Sequence, residues 1–491
     1  MKNEHAKRWL VPVALTIALA ACGSDNVAGV DGVSKDSDRP QPSDPGHTSN
    51  DRDSLPGDIG LGCGWEVASN IDTMNIAFPD ESAKYWVAMV PMVPGTRLRI
   101  DGYYPDVRYF SYNVYDPLLR PTDAIADAEI VPNEGGRNSA AEESAAWGDA
   151  YTAYVEFTAV PEERAVNTVY AGAFNVGPQS VPQPAMTALF YRVYVPDESK
   201  EFDGGVGLPL LTLETADGEQ ALVPTANCVE PLLPTMGGQL PPGGLNDVLE
   251  TIGFPDQVPS NLPFYVGVGD PKAETKVFYG LPSTVFNLAS GFLGLPIPPE
   301  VEQGLPLPAG GGFLSNIHNA YSTNLFSRTY GNIAIIRAKA PSYRGADGVE
   351  FNDEQVRFWS VCQNDLPTQR YVGCYADHQM TVGDDGYFTV LVSDEEDRPA
   401  NATTDNAINW LAWGPYPDAL LIYRHMLPHP DFAEAIQNVP KGTPPADVMG
   451  EYVSRSAYCT PDVVESAGSD PADIFAACQA YTEGLSAWGV K

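Results

Sequence analysis

The sequence predicts a mainly β protein: two tandem β-sandwich or jelly-roll-like domains, short helices in the connector between them, and a helical C-terminal tail. Three observations predict it. Aromatic residues are 10% of the chain and fall in short alternating runs, as half-buried strands require. Gly and Pro, 45 of each, supply frequent turns and disfavour long helices. One pattern also occurs twice. Arg108-Tyr109-Phe110-Ser111, running on to Asp116, is echoed by Arg357-Phe358-Trp359-Ser360, running on to Asp365. Neighbouring features repeat in the same order: Tyr85 and Tyr321, Gly95 and Gly331, Ala126-Asp127 and Ala376-Asp377, Tyr191-Arg192 and Tyr423-Arg424. One β-rich unit duplicated and diverged explains this order.

The chain is 491 residues long, enough for two or three domains, and carries a formal charge of −36. A surface that acidic repels nucleic acid, which is excluded as a partner. At the N-terminus, Lys2, Lys7 and Arg8 precede an apolar run, Leu10 to Ala21, too short to span a bilayer. The run ends Leu19-Ala20-Ala21-Cys22-Gly23-Ser24, which resembles the lipobox of bacterial lipoproteins. That resemblance implies a signal peptide over 1–21, lipidation at Cys22, and attachment to the cell envelope by a lipid anchor in the membrane. The residue after Cys22 is not Asp, which resembles the outer-membrane sorting pattern of Gram-negative cells. Several acyl chains on one residue hold firmly, because each buried CH₂ contributes roughly 0.8 kcal/mol. Residues 22–60 are rich in Ser, Asp, Pro and Gly and read as a disordered tether.

The first β domain is expected over 61–228, with strands at 85–93, 96–103, 107–115, 151–160, 168–175 and 186–195. In 107–115 the even positions Arg108, Phe110, Tyr112 and Val114 share one face. Residues 229–312 are a Pro/Gly/Leu-rich connector expected to belong to neither copy, with short helices at Asn246–Ile252 and Ser283–Phe292. Its apolar residues, Val285, Phe286, Leu288, Phe292 and Leu293, suit packing at the domain junction or the wall of a ligand pocket there. The second β domain is expected over 313–430, with strands at 321–328, 332–340, 355–363, 370–376, 387–393, 408–413 and 419–426. Asp384-Asp385-Gly386 is a tight-turn signal before Tyr387. Residues 431–491 read as a helical extension, with helices at Phe432–Val439, Pro445–Ser454 and Asp470–Thr482.

The second half is similar to a family of bacterial domains of unknown function, often found as tandem pairs. The resemblance rests on Phe358-Trp359-Ser360, Asp385-Gly386-Tyr387, Asn409-Trp410-Leu411 and Tyr423-Arg424, and the first half fits it more loosely. Ala412 departs from it, since the family tends to have Pro there. The resemblance implies a sandwich-like fold and brings no catalytic residues.

Seven cysteines less the lipidated Cys22 leave six, an even number in an exported protein and hence a disulfide framework. Locality favours Cys362–Cys374 across a hairpin, Cys459–Cys478 tying the tail and Cys63–Cys228 clasping the first domain. No metal site is expected, because no Cys-x-x-Cys occurs, and no cofactor motif is present. No serine-hydrolase elbow, His-Glu-x-x-His or phosphate loop occurs either. Arg108, Arg357, Asp127, Asp377, Arg192 and Arg424 survive in both halves and are expected to be structural, most simply as Arg–Asp ion pairs closing each sandwich. The unpaired features are histidines: His318, His378, His425 and His429 all fall in or beside the second unit. His378 and His425, with Asp377, are therefore the candidate catalytic residues, if their strands bring them to one face. His425 and His429 are four apart, but Pro428 between them disfavours a helical metal pair. Asp394-Glu395-Glu396-Asp397 reads as a solvated acidic turn or a Ca²⁺ loop.

Together these features describe a lipid-anchored cell-envelope protein with a non-catalytic binding or structural role. A small apolar or carbohydrate ligand suits it, held at the domain junction. The alternatives are a hydrolase or lyase with its site in the second domain, or an assembly partner docking through a sheet edge.

Overall fold

The computed structural model describes residues 64–221, 274–279 and 314–487, apart from 66, 74, 76, 117–119, 173–174, 177–178, 181–185, 198, 216–217 and 367–368. Cys22, Cys63, Cys228, the tether and both expected connector helices lie outside the described residues.

The first half contributes β1 (Val67–Ser69), β2 (Ala83–Pro91), β3 (Arg97–Tyr103), β4 (Val107–Tyr115), β5 (Pro121–Ala126) and β6 (Ala150–Glu156). It continues with β7 (Thr168–Tyr170), β8 (Asn175–Val176), β9 (Gln179–Ser180), β10 (Met186–Pro196), β11 (Leu210–Thr215) and β12 (Gly218–Ala221). The second half contributes β13 (Lys276–Phe278), β14 (Asn319–Ser327), β15 (Ile333–Lys339), β16 (Val356–Asp365) and β17 (Tyr371–Ala376). It is completed by β18 (Tyr387–Ser393), β19 (Asn409–Ala412), β20 (Asp418–Pro428), α1 (Pro445–Met449), β21 (Arg455–Cys459), α2 (Pro461–Ser466) and α3 (Pro471–Ala487).

Both halves follow one plan. The sheet ordered β1-β2-β10-β4-β5 is matched by β13-β14-β20-β16-β17, and β11-β3-β6-β7, to which β12 adds an edge, by β21-β15-β18-β19. The last pair of the second sheet is parallel in each, β6 with β7 and β18 with β19. The register shift in β4 at Val114/Tyr115 recurs in β16 at Gln363/Asn364. Even backbone outliers repeat. Val195 (φ 48°) and Leu427 (φ 43°) each lie three residues after the paired arginine. Phe78 (φ 58°) and Leu314 (φ 52°) each lie five residues before β2 or β14. Left-handed backbone is costly for such side chains, so its recurrence marks a geometry that both copies need.

Period-2 patterning explains the strands. In β4, Phe110 and Tyr112 face the opposing sheet, where the Tyr112 hydroxyl meets that of Tyr151 at 2.6 Å. The alternate residues Tyr109, Ser111, Asn113 and Tyr115 are buried too, because the segment leading into β14 covers that face. Trp359 of β16 is the second-half counterpart of Phe110, stacked on Phe388.

Two departures from expectation share one cause. The stretch 431–491 is not wholly helical, since β21 joins the second sheet beside β15. Its remaining helical pieces are α1, three short 3-10 or α turns and α3. The connector does not lie wholly outside both copies either: β13 pairs with β14 as β1 pairs with β2. Edge strands of three to five residues carry too little periodicity to read alone. The tail's position follows from β15. Ile333-Ala334-Ile335-Ile336 is apolar on both faces, so it needs cover on both. Val464 of α2 and Ile474, Phe475 and Cys478 of α3 bury Ile333 and Ile335 from outside. Asp470 caps α3, its Oδ1 accepting the Ala472 amide at 2.8 Å, with Pro471 in the first turn. At the same positions β3 has Arg97, Arg99 and Asp101, which remain on an outer face laced to Glu156, Glu214 and Glu219. That face needs no helical cover.

Ile335→Ala is expected to cost about 2–5 kcal/mol in urea unfolding, as a buried deletion. Arg99→Ala, at the matching position, is expected to cost less, about 1 kcal/mol, because its half-buried ion pairs lie at the surface, where such pairs contribute little.

Candidate functional site

Residues singled out from the sequence converge where the two sandwiches meet, and they pair across the junction. Arg108 of the first half bonds Asp377 of the second, and Arg357 of the second lies 3.4 Å from Asp127 of the first. The expected pairing within each sandwich is thus corrected to a reciprocal exchange. Each aspartate is buried and held the same way. Asp127 accepts the amides of Phe110 (3.0 Å) and Ala128 (2.7 Å), and Asp377 those of Trp359 (3.1 Å) and His378 (2.7 Å). Between them pack Tyr109 and Phe358, Ala126 and Ala376, Tyr194 and Met426. These are matching residues from both copies, the signature of an isologous interface inside one chain.

The second arginine pair works through the lead-in segments. Arg424 donates to the Phe78 carbonyl (2.8 Å) and lies 3.3 Å from Asp80, which also accepts the Ser360 hydroxyl. Arg192 donates to the Leu314 carbonyl and to the Tyr115 hydroxyl (2.6 Å), beneath the Tyr85 ring at 4.3 Å. Among the described residues it has no carboxylate partner, because Asn316 stands where the other lead-in has Asp80. Arg192 is therefore not half of an Arg–Asp pair; aromatic faces and carbonyls hold it instead. A further bridge runs from Asp127 through Arg357 and Glu354 to Arg344, whose Nε donates to Glu354 at 2.7 Å. Burial, reinforced by the Arg357 charge, lowers the Arg344 pKa to about 10. Burial raises that of Asp127, against the pull of Arg357.

The histidines do not share a site. His425 is fully buried inside the second sandwich, its ring 4.7 Å from Tyr423, and burial lowers its pKa to about 3. His318 sits at the junction with Nδ1 2.8 Å from the Tyr109 hydroxyl, and burial lowers its pKa to about 4. His378 is accessible, with its side chain 35% exposed and Nδ1 3.2 Å from Asp377 Oδ1, and so is His429. His429 accepts the Asp431 amide at a loop. The expected convergence of His378 and His425 is overturned: β20 aims His425 into its own sandwich, while His378 follows the end of β17 at the junction. The Asp377–His378 contact has the orientation of a catalytic dyad. Yet Arg108 and two amides already occupy Asp377, and no described hydroxyl or thiol bonds His378.

Two disulfides stand as expected. Cys362–Cys374 joins residues directly opposite on β16 and β17, and Cys459–Cys478 ties β21 to α3. Asp80 lies near the first, the one trio of potential metal ligands among the described residues, but the disulfide consumes both thiols. In the acidic run, Asp394 is bound by Arg328 and the next three residues form a 3-10 turn, so the run is not a set of free carboxylates. Missing from the sequence reading were Asp80, Asn316 and the lead-in segments. Their only advance signal was polar residues just ahead of matched strands.

In a double-mutant cycle, Arg108→Met with Asp377→Asn is expected to show coupling of about 0.5–3 kcal/mol, and Arg108→Met with Asp127→Asn almost none. Each single substitution that strands a buried charge should cost about 3–5 kcal/mol. Both His425, which is buried, and the largely buried His318 resist protonation when folded, so the unfolded chain binds more protons below pH 6.5. Stability should fall from pH 6.5 down to about 3–4, by on the order of 3 kcal/mol for His318 alone. Asp127 acts in the opposite sense, since a raised carboxyl favours the folded state as pH falls. Urea unfolding at pH 7 and 4.5 should show a smaller loss in His318→Asn.

No protein-family model and no curated protein matches the chain. Among solved structures it is similar to an uncharacterized protein from Burkholderia cenocepacia, at 14% identity and a TM-score of 0.41, covering 75% of this chain and 80% of that one. It is also similar to a protein from Vibrio parahaemolyticus, at 13% identity and a TM-score of 0.33, covering 78% and 90%. These neighbours are uncharacterized bacterial proteins and bring no activity to the site.

Proposed function

We propose that the chain is a lipid-anchored cell-envelope protein whose two sandwiches act as one body in a non-catalytic binding or structural role. The observation that carries this reading is the reciprocal Arg108–Asp377 and Arg357–Asp127 pairing. It commits the acidic group a catalytic reading needs to holding the halves together, while His425 is sealed inside the second sandwich. The anchor rests on the sequence Leu19-Ala20-Ala21-Cys22 behind a basic and apolar leader. No helix among the described residues is long and apolar enough to cross a membrane.

Expressed in a Gram-negative host fed an alkynyl fatty acid, the protein should become labelled and sediment with membranes. Cys22→Ala should lose both label and sedimentation. An unlabelled wild-type protein cleaved elsewhere would overturn the anchor. A hydrolase or lyase reading is favoured by one contact, Asp377 Oδ1 to the half-exposed His378 at 3.2 Å. A panel of ester, glycoside and uronide substrates tests it: turnover lost in His378→Ala would replace the non-catalytic reading.

A further inference from the structure

Because both sandwiches share one plan, positions on their matched strands have counterparts, and the differences show what the second holds beyond scaffolding. On the side built by β14, β20 and β21, four apolar interior residues become polar. Tyr191 pairs with Trp86 and Tyr423 with Ser322, so Ser322 stands where the first sandwich has an indole. The same registers set Asn324 against Ala88 and His425 against Val193. Leu211 lies opposite Ile100 and Ser456 opposite Ile336, so a serine replaces that leucine too. In the first sandwich stacked rings fill this region, with Trp86 and Trp65 lying 5.6 and 5.8 Å from Tyr191.

In the second sandwich Asn324 is satisfied. Its Nδ2 donates to Thr275 (2.8 Å) and Ser456 (3.1 Å), and its Oδ1 accepts from Ser454 (3.1 Å). Three neighbours have no partner among the described residues: Ser322 Oγ, the Tyr423 hydroxyl and His425 Nε2. All three residues are without exposed surface. His425 Nδ1 accepts the Ile436 amide at 3.3 Å, so the neutral ring carries its proton on Nε2 and presents a donor. Ser322 and Tyr423 are direct cross-strand partners, and the Tyr423 and His425 rings share that face. Each buried polar group left unpaired costs about 1–3 kcal/mol, so three together rival the net stability of a whole domain. Tyr191 also has an unpaired hydroxyl, so the distinction lies in Ser322 and His425 beside it. Burial alone shifts His425, and no charged group contributes, which suits a neutral guest better than an ion.

We propose that the interior of the second sandwich, around Ser322, Tyr423 and His425, is a binding site for a small uncharged molecule that accepts hydrogen bonds through a carbonyl or hydroxyl oxygen. The 3-10 turn Ile436–Asn438 covers it, gripping His425 by the Ile436 amide and by Gln437 Nε2 on its carbonyl at 2.7 Å. Local opening of that turn is the way in. The site is independent of acylation at Cys22, so either reading can fail alone.

The test uses full-length protein labelled with ¹⁵N-histidine, the His425 Nε2–H resonance assigned with His425→Gln, and acetamide as probe. A saturable shift of that resonance with a rise in Tm is expected with acetamide, and none with sodium acetate. Ser322→Trp, which restores the first sandwich's residue, should abolish the response. Tyr423→Phe should weaken acetamide binding about 5–10-fold, as loss of one hydrogen bond does. An Nε2–H that contacts only water and ignores saturating acetamide would mean a buried water alone and overturn the proposal. So would unchanged affinity in Tyr423→Phe, which decides the matter even if Ser322→Trp does not fold.

Discussion

Each sandwich lends the other the charges and the strap that complete it. Asp127 and Asp377 are sealed from water, and the guanidinium that compensates each comes from the opposite copy. The segments ahead of β2 and β14 cross in the same way. Phe78 and Asp80 reach Arg424, and Leu314 reaches Arg192. A buried charge deprived of its partner is expensive, so neither half can lose its arginine without penalising the other. That mutual dependence explains why two arginines and an aspartate persist in both copies although the surrounding sequence has diverged. The described residues accordingly form one compact unit.

Where the copies differ, the physical reason is local. The outer face of β3 carries Arg97, Arg99 and Asp101 and stays paired to glutamates, whereas β15 presents Ile333 and Ile335 and takes the disulfide-tied tail as cover. One lead-in keeps a carboxylate at Asp80 for Arg424. The other has Asn316, and Arg192 settles among Tyr85, Tyr115 and Phe190. One interior is closed with Trp86 and Trp65, and the other carries serines, an asparagine and a histidine. Duplication supplies a frame rigid enough that a single interior can turn polar without loss of the fold.

Most strands were legible because period-2 alternation and Gly/Pro/Asp turns are local signals. Val107–Tyr115 and Tyr387–Ser393 fall where the pattern puts them. The hairpin and tail disulfides were legible from spacing. The short edge strands β13 and β21 were not, since three to five residues show no usable period. The candidate site was legible only as a set of residue types. Asp377 was singled out as half of an ion pair, but the sequence held no sign that Arg108 rather than Arg357 would be its partner.

From the sequence alone came the β class, the repeat, the strand positions and the short-range disulfides, all set by neighbours along the chain. Only the tertiary structure decided that the ion pairs cross between copies, that His425 faces inward while His378 faces the junction, and that the tail completes a sheet. Those outcomes depend on which buried surfaces meet, and they bring together residues more than 200 apart in sequence, beyond the reach of any local signal.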